Sequence, residues 1–339
     1  MINFHKDHAS LVNVALVVFV VLSTGIAVAP ANRMQHTDPL PDMPKMTDAQ
    51  RRGLAVYVSE GCMACHTQQV RNIEMDKTWG SRPSVPSDYH YSKERPNIWQ
   101  QSPSLLGSER TGPDLTNIGQ RQPGAQWHLL HLYDPRMVVK GSIMPRYGWL
   151  FEEVDSANVK AGDVVVPIPA DRLGGAGRKV IATPEMNDLV AYLISLKQAP
   201  LPTGVEPGKF LPSPGADGKA VKMTDADALP DGSAIFSQVC AACHQADGKG
   251  LAGAFPPLAG STIVNDKDPT PMITIVLGGY DARADYGVMP GQAENLTDAQ
   301  ITAVVNHVRS SFGNEAPATT EDVVKGIRFT VSPETALGQ

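Results

Sequence analysis

The sequence predicts a mainly α-helical chain, with one N-terminal transmembrane helix followed by two helical domains with long loops. Three observations predict it. Residues 11–29 are almost wholly apolar. A helix–CxxCH–loops–helix layout then occurs twice. Glycine and proline, at 30 and 28 residues, exceed average usage and mark loop-rich modules.

The apolar run comes first. At about 1.5 Å per residue its nineteen residues span roughly 28 Å, one hydrocarbon core. Ala27 and Ala29 also form an A-x-A pattern of the kind a signal peptidase cuts. Two features favour a retained anchor: the run exceeds a usual signal-peptide core, and Pro30 would occupy the first mature position. Asn13 interrupts the run, either facing a partner helix or lying near the interface. Lys6 adds a slight positive-inside bias. Residues 1–32 therefore read as anchor and 33–46 as a polar tether.

Thr47 and Gln50 form a capping box that opens the next helix, which carries Leu54 and Val58 and runs into Cys62. Thr183-Pro184 opens another, with proline at its first position. Met186, Leu189, Val190 and Leu193 then fall on one apolar face. Residues 200–228, rich in Pro, Gly and Ala, read as a surface linker. The second module repeats the pattern. Residues 233–239 lead into Cys240, Thr297 and Gln300 repeat the capping box, and Ile301, Val304, Val305 and Val308 repeat the apolar face. The domains so defined are 47–199 and 229–314, followed by a tail at 315–339. Within the tail, "IRFTV" reads as a short strand or an extended segment.

All four cysteines sit in two places, "GCMACHTQQVR" (61–71) and "VCAACHQADGKG" (239–250). A Cys-x-x-Cys pair serves as a redox dithiol, as half a zinc site, or as a c-type haem anchor. The adjacent His66 and His244 discriminate. In a haem anchor the thiols add to the porphyrin vinyl groups and the next imidazole lies under the iron. A zinc site would pool its ligands from neighbouring loops, and a thioredoxin-like dithiol would sit in a βαβ context that is not visible here. The reading is two covalently bound haem c groups, on Cys62, Cys65 and His66 and on Cys240, Cys243 and His244.

The remaining axial ligands must come from later in each module. "GSIMPRYGW" offers Met144 and "YGVMPGQ" offers Met289, each followed by proline in a turn-rich segment before the last helix. Methionine more commonly fills a core, and His128, His131 and His307 are rival ligands, each also suited to ordinary packing. A thioether favours ferrous iron and raises the potential. The backbone carbonyls near Pro113 and at Pro256-Pro257 are candidates to hold the second ring nitrogen of each proximal histidine.

Beyond these motifs, residues 61–150 resemble the monohaem subunit II (CcoO/FixO type) of cbb3-type cytochrome c oxidases. "GCMACHTQQVR", "ERTGPDLTNIG", "WHLLHLYDPRMVV" and "SIMPRYGWLF" carry the likeness. The second module resembles a class I cytochrome c, departing at His307 and Phe312, where Tyr and Trp are expected. The segment 152–181 has a sequence of its own. The resemblance implies binding of one haem by Cys62, Cys65, His66 and Met144, and packing on a polytopic haem-copper catalytic subunit. The chain would be an electron-transfer subunit and not itself the catalytic one. It would lie in a bacterial inner membrane as a single-pass protein with its haem domains on the periplasmic side.

Charge agrees with an electron-input role for the second module. Residues 229–314 carry eight acids and four bases, a net −4, which suits a basic donor cytochrome or similar small redox protein. The whole chain, at −6, lacks a nucleic-acid footprint. Three rival roles remain: the cytochrome subunit of a nitric oxide reductase, the electron acceptor of a periplasmic dehydrogenase, and a haem-based sensor. The last needs an open iron site and an output domain, and neither is visible.

Overall fold

The computed structural model describes residues 6–91, 105–169, 172–211, 230–281 and 286–331. It is mainly helical. Helix α1 (His8–Ser23) passes through a π turn (Thr24–Val28) into α2 (Ala29–Gln35). Pro30 lacks an N–H and crowds the carbonyl four residues back, so a widened turn directly before it lets the helix continue. Among the described residues, His8–Arg33 is the one helix long and apolar enough to cross a membrane, with a mean hydropathy of 2.6.

The capping boxes form as read. Thr47 Oγ1 accepts from Gln50 N–H and Gln50 Oε1 from Thr47 N–H at the start of α3 (Asp48–Ser59). Short helices α4 (Ile118–Arg121) and α5 (Ala125–Tyr133) follow. Residues 151–182, left without assigned structure by sequence reasoning, build a three-stranded antiparallel sheet in the order β1-β3-β2. Its strands are β1 (Phe151–Asp155), β2 (Val165–Val166) and β3 (Arg178–Ala182), with Phe151 opposite Ala182 and Val165 opposite Ile181. Helix α6 (Pro184–Ser195) is capped by Thr183 and buries the predicted face of Met186, Leu189, Val190 and Leu193.

The second module begins with α7 (Gly232–Ile235), a π turn (Phe236–Cys240) and α8 (Ala241–His244). Helix α9 (Thr270–Gly278) and a two-stranded ribbon, β4 (Gly279–Tyr280) with β5 (Met289–Pro290), precede α10 (Asp298–Arg309). The tail segment read as strand or extended is instead α11 (Glu321–Val331). Val324 joins the apolar cluster of Ile273, Leu277, Ile301 and Val305, and Arg328 is wholly buried. Burial of one helical face overrides the β-branched run that favoured a strand.

The chain divides into two compact units. One comprises the described parts of Met1–Met46, Gly61–Asp114 and Gln198–Pro212. The other comprises those of Thr47–Glu60, Leu115–Lys197 and Ser213–Gln339. In the second unit one crossing device is used twice. On α3 the buried residues are Gly53 and Tyr57, with the predicted Leu54 and Val58 only half-buried. A Cβ on Gly53 would lie 1.9 Å from the Asp188 carbonyl oxygen of α6, so only hydrogen fits. Tyr57 meets Tyr192 at 5.4 Å, and Arg52 holds Asp188 with two bonds of 2.6 and 2.9 Å. On α7 a Cβ on Gly232 would lie 2.1 Å from the Ala303 carbonyl oxygen of α10, and Phe236 meets His307 at 5.6 Å. Phe312, the other departure from the expected pattern, closes on both rings.

In the first unit, part of the predicted linker is docked. Leu211 N donates to the Asn72 carbonyl and the Leu211 carbonyl accepts from Glu74 N, at 2.7 and 3.0 Å. Buried Arg82 donates to the Ala199 carbonyl at 2.8 Å. Residues 212–228 of that linker lie outside the described residues.

Candidate functional site

In the first unit, a 3-10 turn (Cys62–Ala64) carries the first CxxCH motif, entered through Gly61 in the left-handed region. His66 Nδ1 lies 2.7 Å from the Pro113 carbonyl oxygen. A carbonyl only accepts, so Nδ1 carries the proton in this contact. The backbone of Gly112 closes over the ring: a Cβ there would lie 2.2 Å from His66 Cε1. Cys62 and Cys65 are not joined in a disulfide; Cys62 is buried and Cys65 exposed.

A network that sequence reasoning missed fixes this pair of segments. The buried Asp76 carboxylate accepts from Arg110 at 2.7 and 2.8 Å and from Arg71 Nη2 at 2.9 Å. Asp114, next to Pro113, accepts from Thr67 Oγ1 at 2.6 Å and from Gln69 N at 2.7 Å. The segment after CxxCH is thereby tied to the segment that supplies the carbonyl. These guanidiniums hold the Asp76 carboxyl well below the usual carboxylate range, against the opposing effect of burial. The signal was present, since Arg71, Arg110 and Asp114 all fall in segments that carried the family likeness.

In the second unit, the loop of Met144 is held at three atoms. Its N–H donates to Ser142 Oγ at 3.2 Å, its carbonyl accepts from Arg136 Nη2 at 3.2 Å, and its Sδ lies 3.1 Å from His131 Nε2. His131 stacks on Trp127, 4.6 Å between centroids and 10° between planes. His128 is buried and bonds the Gln122 carbonyl through Nε2 at 2.8 Å, which is an ordinary core role.

The second CxxCH motif shares this unit. His244 Nδ1 donates to the Pro256 carbonyl at 2.9 Å, repeating the geometry at His66. His244 and Met289 line one cavity of about 320 Å³, together with Cys240, Met272, Val304 and Val308. Burial pushes the Cys240 and Cys243 thiols up to about 12. A redox dithiol needs the opposite shift, a stabilised thiolate. Among the described residues no cluster of three or more His, Cys, Asp or Glu is placed to hold a metal ion. The donor set fits haem c: two thiols and an imidazole in each motif, with each imidazole's Nδ1 committed to a backbone carbonyl, and, at the second motif, an apolar cavity with a thioether on its wall.

Residues 229–312 match the family model of cytochrome c, and residues 3–168 match that of the cytochrome c oxidase mono-heme subunit/FixO. Cytochrome c-552 of Thermus thermophilus is 33% identical over 124 residues, covering 32% of this chain and 93% of that protein. The chain belongs to the cytochrome c family. It joins a FixO-type segment to a second cytochrome c domain, the fused arrangement read from the sequence.

Similarity also extends to dehydrogenase subunits. The alcohol dehydrogenase (quinone) cytochrome c subunit of Gluconacetobacter polyoxogenes is 38% identical over 114 residues, 32% of this chain and 24% of that protein. The fructose dehydrogenase cytochrome subunit of Gluconobacter japonicus is 38% identical over 106 residues, 29% of this chain and 22% of that protein. The chain thus spans about a quarter of the length of these two relatives.

His128 gives a pH prediction. Burial lowers its folded-state value from 6.5 to about 4. The unfolded chain therefore takes a proton that the folded chain refuses, so stability is intact above pH 6.5 and falls as pH drops towards 4. The expected loss is about 3 kcal/mol by the bottom of that window. Denaturant midpoints measured across the window should show this limb in the wild type and lose it in His128→Leu. A variant that keeps the whole limb would assign it elsewhere.

Proposed function

We propose that this chain is a membrane-anchored dihaem cytochrome c. It takes electrons from a donor at the second module and passes them through the first to a haem-copper catalytic subunit of the cbb3 type. The observation that carries this reading is the pairing of a FixO-type segment at 3–168 with a second motif in which His244 repeats the Nδ1–carbonyl geometry of His66.

The proposed domains are 47–199 and 229–314, joined by 200–228, with residues 1–32 as the anchor in lipid and both modules on the periplasmic side. Cys62 and Cys65, and Cys240 and Cys243, would form the thioether links. His66 with Met144, and His244 with Met289, would hold the irons. When bound, each haem supplies a one-electron Fe(III)/Fe(II) couple. The protein's part is to fix the imidazoles through Pro113 and Pro256, to exclude water with the apolar wall, and to supply sulfur ligands that favour the reduced state. The net −4 of residues 229–314 suits a basic donor.

A second reading has support from the dehydrogenase subunits that are 38% identical. In it the chain accepts electrons from a periplasmic dehydrogenase. One experiment separates the two: purify the tagged full chain from native membranes and weigh its partners by mass spectrometry. A polytopic haem-copper subunit in constant ratio is the expected result. A dehydrogenase catalytic subunit in its place would overturn the oxidase reading and leave the dihaem reading standing.

A further inference from the structure

We propose that the stacked pair Trp127–His131 is the electronic coupling element between the two haem sites. The proposal rests on the dihaem reading above, with Met144 and Met289 as sulfur ligands.

Each end of the pair meets a different site. At one end His131 Nε2 lies 3.1 Å from Met144 Sδ. Sulfur there accepts only, so the imidazole N–H points at the thioether and holds it. At the other end Trp127 lines a second cavity, of about 60 Å³, together with Cys240, Cys243, His244 and Met289. The backbone seals the contact. A Cβ on Gly124 would lie 3.8 Å from the Pro290 ring, and one on Gly287 would overlap Gln126 Oε1 at 1.5 Å. The Met289 loop therefore packs directly against the start of α5.

Helical spacing places the two rings one turn apart on α5, and near-parallel planes at 4.6 Å give continuous π contact between them. The sequence Met144–His131–Trp127–cavity wall contains one hydrogen bond, one ring stack and one packing contact. Among the described residues, two further atoms at this wall, Gln126 Oε1 and Trp127 Nε1, are buried without a hydrogen-bond partner.

The step is a single electron transfer. The iron that His244 would hold would lose one electron, and the iron that His66 would hold would gain it. No bond is made or broken, no proton moves, and neither ring is itself oxidised. His131 acts additionally as a positioning residue, since its N–H fixes the Met144 sulfur.

The test uses the full two-haem chain in detergent. A light-triggered reductant loads the acidic module, and redistribution to the first haem is followed optically. Trp127→Leu keeps bulk without a ring, and Trp127→Phe keeps a ring. The Leu variant should slow redistribution roughly tenfold with both midpoint potentials unchanged, and the Phe variant should recover most of the rate. His131→Leu should slow it as well and weaken the near-infrared sulfur-to-iron band of the first haem. Redistribution in the Leu variant within about twofold of wild type, in protein retaining both low-spin spectra, would overturn the coupling role. The dihaem reading fails separately, if the wild type carries one haem or if Met144→Ala leaves the sulfur band at full strength.

Discussion

Replacing Cys240 and Cys243 together with serine should leave a chain that carries one covalent haem where the wild type carries two. The argument is stoichiometric. All four cysteines lie in two CxxCH motifs, and each motif has its own histidine with Nδ1 committed to a backbone carbonyl. Thioether attachment needs both thiols of one motif and nothing from the other. The first site should therefore load normally in this variant. Reciprocal replacement of Cys62 and Cys65 should leave the second. A pyridine haemochrome assay against protein concentration reads the ratio directly. A wild-type ratio of one, or zinc in place of iron by elemental analysis, would remove the dihaem reading.

Arg328→Ala should cost the second module about 3–5 kcal/mol, the range for breaking a fully buried ion pair from one side. Arg328 on α11 donates Nε to Asp298 Oδ1 at 2.6 Å and Nη2 to the Leu296 carbonyl at 2.7 Å, and it also bonds the Ala293 carbonyl. None of its surface is exposed. Asp298 begins α10, whose Val304, Val305 and Val308 line the cavity beside His244. Removing the guanidinium strands a buried carboxylate and two carbonyls at the foot of that helix. At about 4 °C or more per kcal/mol for a domain of this size, the module should melt at least 12 °C earlier. Arg328→Lys keeps the charge but not the planar fork, so it should fall between. Melting within a few degrees of wild type in the Ala variant would show that α11 is dispensable.

Much of the fold was legible because its determinants are local. Both capping boxes are i, i+3 pairs, and the faces of α6 and α10 follow the helical period. The missed elements depend on distant chain. Strand β3 exists because 178–182 pairs with 151–155, and neither segment alternates strongly enough to announce it. Helix α11 reads locally as extended, yet burying Val324 and Arg328 against α10 makes it helical. On α3 the sequence pattern chose Leu54 and Val58, while the packing chose Gly53 and Tyr57, because close approach of the Asp188 backbone rewards the absence of a side chain.

The sequence by itself determined the chemistry: the four thiols, their adjacent imidazoles, the paired Met-Pro dipeptides and the apolar N-terminal run. Each of these is a matter of residue type at short spacing, and the haem-anchor motif lies within five consecutive positions. It also named the segments whose carbonyls at Pro113 and Pro256 hold the imidazoles. Only the tertiary structure decided what surrounds that chemistry. Asp76 meets Arg110 across 34 residues, His131 meets Met144 across 13, and the start of α5 meets the Met289 loop across more than 150. Such pairs form where burial of apolar faces brings backbone segments together, and the chain between them leaves no periodic trace of the meeting.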